Sequence, residues 1–150
     1  MPASTRSERA AVLGGIALAL ALTAAAGGAQ AHKASDAYLF MASDGGQTRL
    51  RWDIALRDLD AVLPLDADGD RQLTWGEVRH AWPQIDALAL SSLAVAGCRF
   101  SVDGHALEQR NDGAYAVLRA HAACSVNAAT PVRYELFHGV DPTHRGLLRL

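Results

Sequence analysis

Apolar and polar residues alternate over much of the sequence beyond residue 36, and this period of two constrains the fold more than any other feature. One stretch carries apolar residues on one side and charged residues on the other: Leu50, Trp52, Ile54 and Leu56 against Arg49, Arg51 and Asp53. The stretch before it alternates in the same way, with Tyr38, Phe40 and Ala42 on one face. Residues 44–47, Asp-Gly-Gly-Gln, form a turn signal between the two. A period of two is typical of half-buried strands, so the pattern predicts a hairpin with one buried face.

The alternation returns beyond Leu93 in short stretches separated by turn residues. The predicted strands lie near residues 98–102, 115–119 and 132–136, and the predicted turns are Asp103-Gly104 and residues 111–113. Short strands joined by turns that contain Gly and Asp indicate a mainly β fold, specifically an antiparallel, Ig-like β-sandwich. The 150 residues allow one domain of ordinary size.

Residues 57–92 interrupt this pattern with helical spacing. A short helix is predicted over residues 57–63. A second helix is predicted to begin at Thr74, because Glu77 follows three residues later and completes a capping box. Pro83 is expected to end that helix and to start another. The sequence therefore predicts a helix-loop-helix excursion between the second and third strands.

The linker inside this excursion is a twelve-residue acidic loop, residues 66–77, Asp-Ala-Asp-Gly-Asp-Arg-Gln-Leu-Thr-Trp-Gly-Glu. Its spacing resembles the calcium loop of EF-hand proteins, since Ca²⁺ takes six to eight oxygen ligands and such a loop supplies them in order. The resemblance implies side-chain ligands from Asp66, Asp68, Asp70 and Glu77, a backbone carbonyl from Gln72, and Thr74 acting directly or through water. Mg²⁺ is the lesser candidate because it demands near-ideal octahedral geometry. The alternative is a solvated acidic turn without an ion.

One position departs from the EF-hand pattern. The sixth residue is usually Gly, because the chain turns there with a positive φ, but in this sequence it is Arg71. A residue other than Gly adopts that conformation at a cost of about 1–2 kcal/mol, and its positive charge opposes the cation. We therefore expect a weak site, with a dissociation constant of about 10⁻⁴–10⁻³ M.

The first 31 residues have the composition of a secretory signal peptide. Arg6 and Arg9 precede an uncharged run over residues 10–26, and the segment closes with Ala-Gln-Ala at Ala31. The alternative is a membrane anchor, for which the run is short and Ala-rich. Cleavage after Ala31 leaves residues 32–150 as one domain. We expect that domain to be periplasmic or secreted.

Export would determine the oxidation state expected of the two cysteines, Cys98 and Cys124. Two cysteines in an oxidising compartment predict a disulfide, and the alternative is a pair of buried free thiols. The sequence contains no Cys-x-x-Cys, so redox catalysis and a Cys-ligated zinc site have no support.

Cleavage would also make His32 the first residue of the mature chain. A terminal amine and an imidazole on one residue suit Cu²⁺, which favours nitrogen ligands. This resembles periplasmic copper carriers, so a copper carrier that uses His32 is the alternative function. A frayed terminal residue is the simpler interpretation of His32. His138 and His144 flank a tight turn, and we expect them to be turn or surface residues.

Three stretches of the sequence, taken together, point to a family. Residues Ala31–Leu39, Trp52–Asp60 and Phe137–Gly146 resemble the extracytoplasmic N-terminal region of membrane proteins of the HupE/UreJ type. The resemblance spans the whole predicted domain. Relatives continue into transmembrane helices linked to nickel or to hydrogenase and urease accessory roles, whereas this sequence stops at Leu150. The resemblance therefore implies a membrane-embedded partner or a missing C-terminal membrane domain.

Composition excludes some function classes. A formal net charge of −2 gives no basic surplus for nucleic acid, and aromatic residues make up only 6%. Ser, His and Asp occur without Gly-x-Ser-x-Gly or another catalytic pattern, so we expect no enzyme. The sequence thus favours a non-enzymatic, periplasmic calcium-binding module.

Overall fold

The computed structural model describes residues 35–150; the predicted signal peptide, residues 1–31, and His32 lie outside them. The strands, in chain order, are β1 (Asp36–Asp44), β2 (Gln47–Ala55), β3 (Leu93–Val95), β4 (Ser101–Arg110), β5 (Gly113–Ala122), β6 (Val132–Tyr134) and β7 (Arg145–Arg149). The helices are α1 (Leu56–Asp60), α2 (Trp75–His80) and α3 (Trp82–Ser92). The prediction of a mainly β fold is confirmed.

Five strands form one sheet in the order β4-β5-β2-β1-β7, and β3 pairs with β6 in a second sheet of two strands. The β1–β2 hairpin predicted from the alternation is present, with antiparallel pairing through the turn after Asp44. β7 pairs with β1 in parallel, which departs from the wholly antiparallel arrangement that we expected.

The buried face of β1 is the one opposite to the face named from the sequence. Ala37, Leu39 and Met41 are at most 3% exposed, whereas Phe40 is 39% exposed. The pairing explains this, because Leu39 lies opposite Trp52 and therefore shares its buried face. β2 buries the residues expected of it up to Ile54, and Leu56 begins α1.

The predicted turn at Asp103-Gly104 is wrong. Both residues lie within β4, where the pairing with β5 shifts between Val102 and Gly104. A β-bulge accommodates a residue pair that is otherwise typical of turns. The chain reverses instead after Arg110, at the second predicted turn.

The helices lie between β2 and β3, in the order expected. α1 is shorter than predicted and ends at Asp60. α2 begins after Thr74, and the predicted capping box between Thr74 and Glu77 is confirmed. α3 begins at Trp82, so Pro83 stands in its first turn, as a residue without an N–H can.

The hydrophobic core lies between the buried face of the large sheet, the helices and β3. Trp52 and Leu118 from the sheet belong to one cluster with Val78 of α2 and Ile85 of α3. Leu65 is buried in this core immediately before the acidic loop, and Leu73 packs against it from inside the loop. The core thus holds the loop near both of its ends while the residues between them face solvent.

Candidate metal centre

Residues 66–77 form an exposed loop that leads from α1 into the first turn of α2. One carboxylate oxygen from each of Asp66, Asp68 and Asp70 lies within 4.8 Å of the other two. Within residues 35–150, this is the one group of three or more His, Cys, Asp or Glu side chains close enough to share a metal ion. The structure therefore brings together three of the predicted ligands.

Backbone amides of the loop hold Asp66 in place. One oxygen of Asp66 accepts a hydrogen bond from the N–H of Gly69, and the other accepts one from the N–H of Arg71, each at 2.8 Å. The carboxylate of the first loop residue thereby closes the turn that follows it. This local bonding is the reason Asp is favoured at such positions.

Asp68 and Asp70 each accept a hydrogen bond from the backbone N–H two residues later in the loop. Oδ1 of Asp68 accepts from the N–H of Asp70 at 3.1 Å, and Oδ1 of Asp70 accepts from the N–H of Gln72 at 2.7 Å. The backbone therefore fixes three carboxylates in place through amides that lie on the same short segment. Gln72, predicted to offer its carbonyl, takes part here through its N–H.

Arg71 has a φ of +66°, the left-handed conformation expected at the sixth position of the loop. Gly69 also has a positive φ, +75°. A side chain at such a φ adds steric strain that a glycine would avoid. Because the Arg71 side chain is exposed, its charge remains in contact with water.

Glu77 stands outside the group of three carboxylates and bonds to both ends of the loop. Its Oε1 accepts from the N–H of Ala67 at 2.9 Å. Its Oε2 accepts from the N–H and the hydroxyl of Thr74, both at 2.8 Å. These hydrogen bonds, those from Thr74 foremost, lower the pKa of Glu77 and keep it ionised. The indole of Trp75, beside Thr74, is 42% exposed.

The predicted disulfide between Cys98 and Cys124 is confirmed, with Cα atoms 5.4 Å apart. It links the segment after β3 to the segment after β5. The two-stranded sheet and the large sheet are therefore joined covalently.

The sequence did not predict a second group of polar side chains that the fold brings together. We call Ser35, Asp58, Tyr134 and His144 the histidine cluster. The Ser35 hydroxyl donates to Asp58 Oδ2 at 2.6 Å and lies 2.5 Å from Nδ1 of His144. Tyr134 Oη lies 2.6 Å from Nε2 of the same ring. His144 closes a turn with Asp141, as expected of a turn residue, but its ring is partly buried and bonded at both nitrogens, which the sequence did not predict.

The hydrogen bonds assign the protons in this cluster. Since the single hydroxyl proton of Ser35 goes to Asp58, Nδ1–H of His144 donates to Ser35, and Nε2 accepts from Tyr134. Burial lowers the pKa of His144, against the raising influence of Asp58, Asp141 and Asp36. Burial also raises the pKa of Tyr134, so the phenol remains a donor. This order differs from a serine nucleophile, whose hydroxyl donates to the histidine.

Three further histidines are each hydrogen-bonded to a single residue. His105 Nε2 lies 2.8 Å from Asp86, His121 Nδ1 lies 2.8 Å from Asp103, and His80 Nδ1 lies 2.8 Å from the carbonyl of Gly76. Among the described residues, none of them joins two other metal-ligating side chains.

No helix within residues 35–150 has both the length and the apolar character needed to cross a bilayer.

No protein-family model matches the chain, and no curated protein matches it.

Proposed function

We propose that this chain is a non-enzymatic, extracytoplasmic calcium-binding module in which the acidic loop holds one Ca²⁺. The observation that carries the proposal is the approach of Asp66, Asp68 and Asp70 to within 4.8 Å, at positions one, three and five of a loop with EF-hand spacing. In this proposal the two sheets are the halves of an Ig-like β-sandwich, and residues 56–92 are an EF-hand-like insertion.

Electrostatics supports a cation at this point. Two unit charges about 5 Å apart repel by on the order of 1 kcal/mol in water, and by about 3 kcal/mol at an effective dielectric constant of 20. Three carboxylates held this close repel one another in three pairs. A divalent cation between them turns that repulsion into attraction.

The carboxylates also retain oxygen lone pairs for an ion. A carboxylate offers about four acceptor positions, and the loop amides use two on Asp66 and one each on Asp68 and Asp70. The amides orient the side chains and leave acceptor capacity on each of them. Hard oxygens in this number suit Ca²⁺ better than they suit a softer metal.

Glu77 and Thr74 would complete the site. Glu77 is bonded to Ala67 at the start of the loop and to Thr74 near its end. Movement of this carboxylate toward the ion would draw α2 toward the aspartates. Ion binding would thereby be coupled to the local order of the excursion.

The extracytoplasmic location rests on the composition of residues 1–31 and agrees with the disulfide. The resemblance to the HupE/UreJ type supports a membrane-embedded partner or membrane domain as the setting in which the module works. A site with a dissociation constant near 10⁻³ M suits this location, because extracellular calcium modules bind in that range.

Terbium luminescence tests the proposal. Tb³⁺ substitutes for Ca²⁺ at oxygen sites, and an indole close to the ion sensitises its emission, a role for which Trp75 is placed. We expect emission on excitation at the indole band, displaced by millimolar CaCl₂. Asp68→Asn should abolish most of it, because this change removes one charge while the side-chain oxygen can still accept from the N–H of Asp70.

Asp44→Asn is the matched control, since it removes one exposed carboxylate at the β1–β2 turn. It should leave terbium emission unchanged. Equal loss of emission in the two variants would show that terbium responds to net charge alone, and the proposal would then be wrong.

A further inference from the structure

The exposed face of the five-stranded sheet carries a row of cations. Across four neighbouring strands, Arg149 of β7 lies opposite Phe40 of β1, Phe40 opposite Arg51 of β2, and Arg51 opposite Arg119 of β5. Residues paired in this way point to the same side of a sheet. In the next row, Arg49 of β2 lies opposite His121 of β5. We call Arg49, Arg51, Arg119 and Arg149 the arginine face.

This arrangement brings like charges together. Like charges directly opposite each other on neighbouring strands destabilise a sheet, and Arg51 and Arg119 are such a pair. Arg51 is neutralised by Asp53 and Glu108, at 2.8 and 2.6 Å. Within residues 35–150, Arg49, Arg119 and Arg149 have no ion pair.

The same sheet face is balanced at its other end. There Asp53, 1% exposed, is held between Arg51 and Arg110, and Glu108 bonds to the same two arginines. Two cations meet two anions in that group. The unbalanced charge is therefore confined to the end formed by Arg49, Arg119 and Arg149.

The arginine face also lines a concavity of about 560 Å³. Phe40 and Leu150 contribute apolar surface to it, and Phe40 is 39% exposed. Asp103 is the acidic residue on its wall, and His121 lies 2.8 Å from that carboxylate. The volume falls in the range of small-molecule sites. The concavity is therefore large enough for an organic anion.

We propose that the arginine face binds a small organic anion that carries at least two phosphate or carboxylate groups. A guanidinium presents parallel N–H donors that match these oxyanions in bidentate fashion. Arg119 of β5, Arg49 of β2 and Arg149 of β7 can engage separate groups of one ligand. Phe40, on β1 between β2 and β7, offers a ring against its apolar part. The ligand charge would compensate Arg49, Arg119 and Arg149, the three arginines of this face that have no ion pair within residues 35–150. This site lies on the sheet and is independent of calcium.

Calorimetry with pyrophosphate and with citrate tests the inference, with acetate as the monovalent comparison. The buffer is passed over a chelating resin, because EDTA is itself a multivalent anion and pyrophosphate would sequester calcium. We expect submillimolar binding of at least one of the two multivalent anions, at least tenfold weaker binding of acetate, and weakening as NaCl is raised. Arg49→Gln/Arg119→Gln should weaken multivalent binding at least tenfold.

Arg79→Gln/Arg99→Gln is the matched control, because it removes two exposed arginines that lie outside the concavity. It should change the affinity less than twofold. Equal loss in both double variants, or no binding of either multivalent anion at 10 mM, would overturn the inference. Binding to vesicles that contain phosphatidylglycerol, without binding to pyrophosphate or citrate, would overturn it as well and would assign the face to membranes.

Discussion

The acidic loop consists of twelve consecutive residues exposed to solvent, whereas the histidine cluster joins residues from distant parts of the chain. Ser35 and His144 are 109 residues apart, and the hydroxyl between Asp58 and His144 is buried. In the loop, backbone amides hold three like-charged carboxylates close together. In the cluster, neutral groups satisfy the hydrogen bonds of His144.

The two regions therefore contribute to stability in different ways. The loop gathers like charges, and under the proposed function its contribution to stability should rise with the calcium concentration. The cluster is complete without a ligand, so its contribution depends on pH and on packing. The two regions should therefore respond independently to mutation, metal and acid.

The largest expected loss of stability comes from mutating the histidine cluster. His144→Ala removes both ring hydrogen bonds and the edge contact with Phe137, and it leaves Ser35 and Tyr134 short of a partner. We expect the free energy of unfolding to fall by about 2–4 kcal/mol in urea denaturation followed by circular dichroism. Calcium affinity should change less than twofold. His138→Ala, at an exposed histidine of the preceding turn, should cost less than about 0.5 kcal/mol.

The next effect is that of calcium on the loop. With a dissociation constant of about 10⁻⁴–10⁻³ M, 10 mM CaCl₂ should raise the free energy of unfolding by about 1–3 kcal/mol. Asp66→Ala should remove this gain, because it deletes the carboxylate that closes the first turn. Urea denaturation with and without calcium measures it. A gain that survives in Asp66→Ala would place the ion elsewhere.

Lowering the pH should reduce the free energy of unfolding through the histidine cluster rather than through the acidic loop. Because burial lowers the pKa of His144, the unfolded chain takes up a proton near pH 6.5 before the folded one does. Stability from this group is complete above pH 6.5 and falls as pH falls toward the folded pKa, by at most about 1.4 kcal/mol per pH unit. Urea midpoints from pH 7.5 to 5 should show that decline, and His144→Gln should flatten it. An unchanged slope in His144→Gln would contradict this account.

The smallest expected effect is at Arg71, where two substitutions distinguish the contribution of the backbone conformation from that of the positive charge. Arg71→Gly relieves the positive φ, net of the entropy that glycine loses on folding, and should stabilise the protein by about 0.5–1 kcal/mol. Arg71→Ala keeps the strained φ and should not stabilise it. Both variants remove a cation from the loop, so both should tighten calcium binding a few-fold. Thermal unfolding and calorimetry distinguish the two contributions.

Local sequence was sufficient where the relevant contacts are local. The capping box at Thr74 and Glu77 joins residues three positions apart, so its spacing alone predicts it. The positive φ at Arg71 likewise follows from its place in the loop. The helical excursion between β2 and β3 was predictable for the same reason.

Where contacts are distant, the sequence was insufficient. The buried face of β1 is decided by its pairing with β2 and β7, and both faces of β1 contain apolar residues. Asp103-Gly104 has a turn composition, but pairing with β5 keeps it in a strand. His144 lies at a turn, as predicted, but its contacts with Ser35 and Tyr134 form only in the folded chain, so the sequence did not reveal the cluster. All three family-like stretches contribute here, through Ser35, Asp58 and His144, and that coincidence is a signal that could have located the cluster.

Isothermal titration of the protein with CaCl₂ tests the calcium assignment most directly. We predict binding at one site with a dissociation constant of about 10⁻⁴–10⁻³ M, weaker binding of MgCl₂, and loss of the calcium signal in Asp68→Asn. Absence of heat up to 10 mM CaCl₂, together with an unchanged melting temperature, would contradict the assignment.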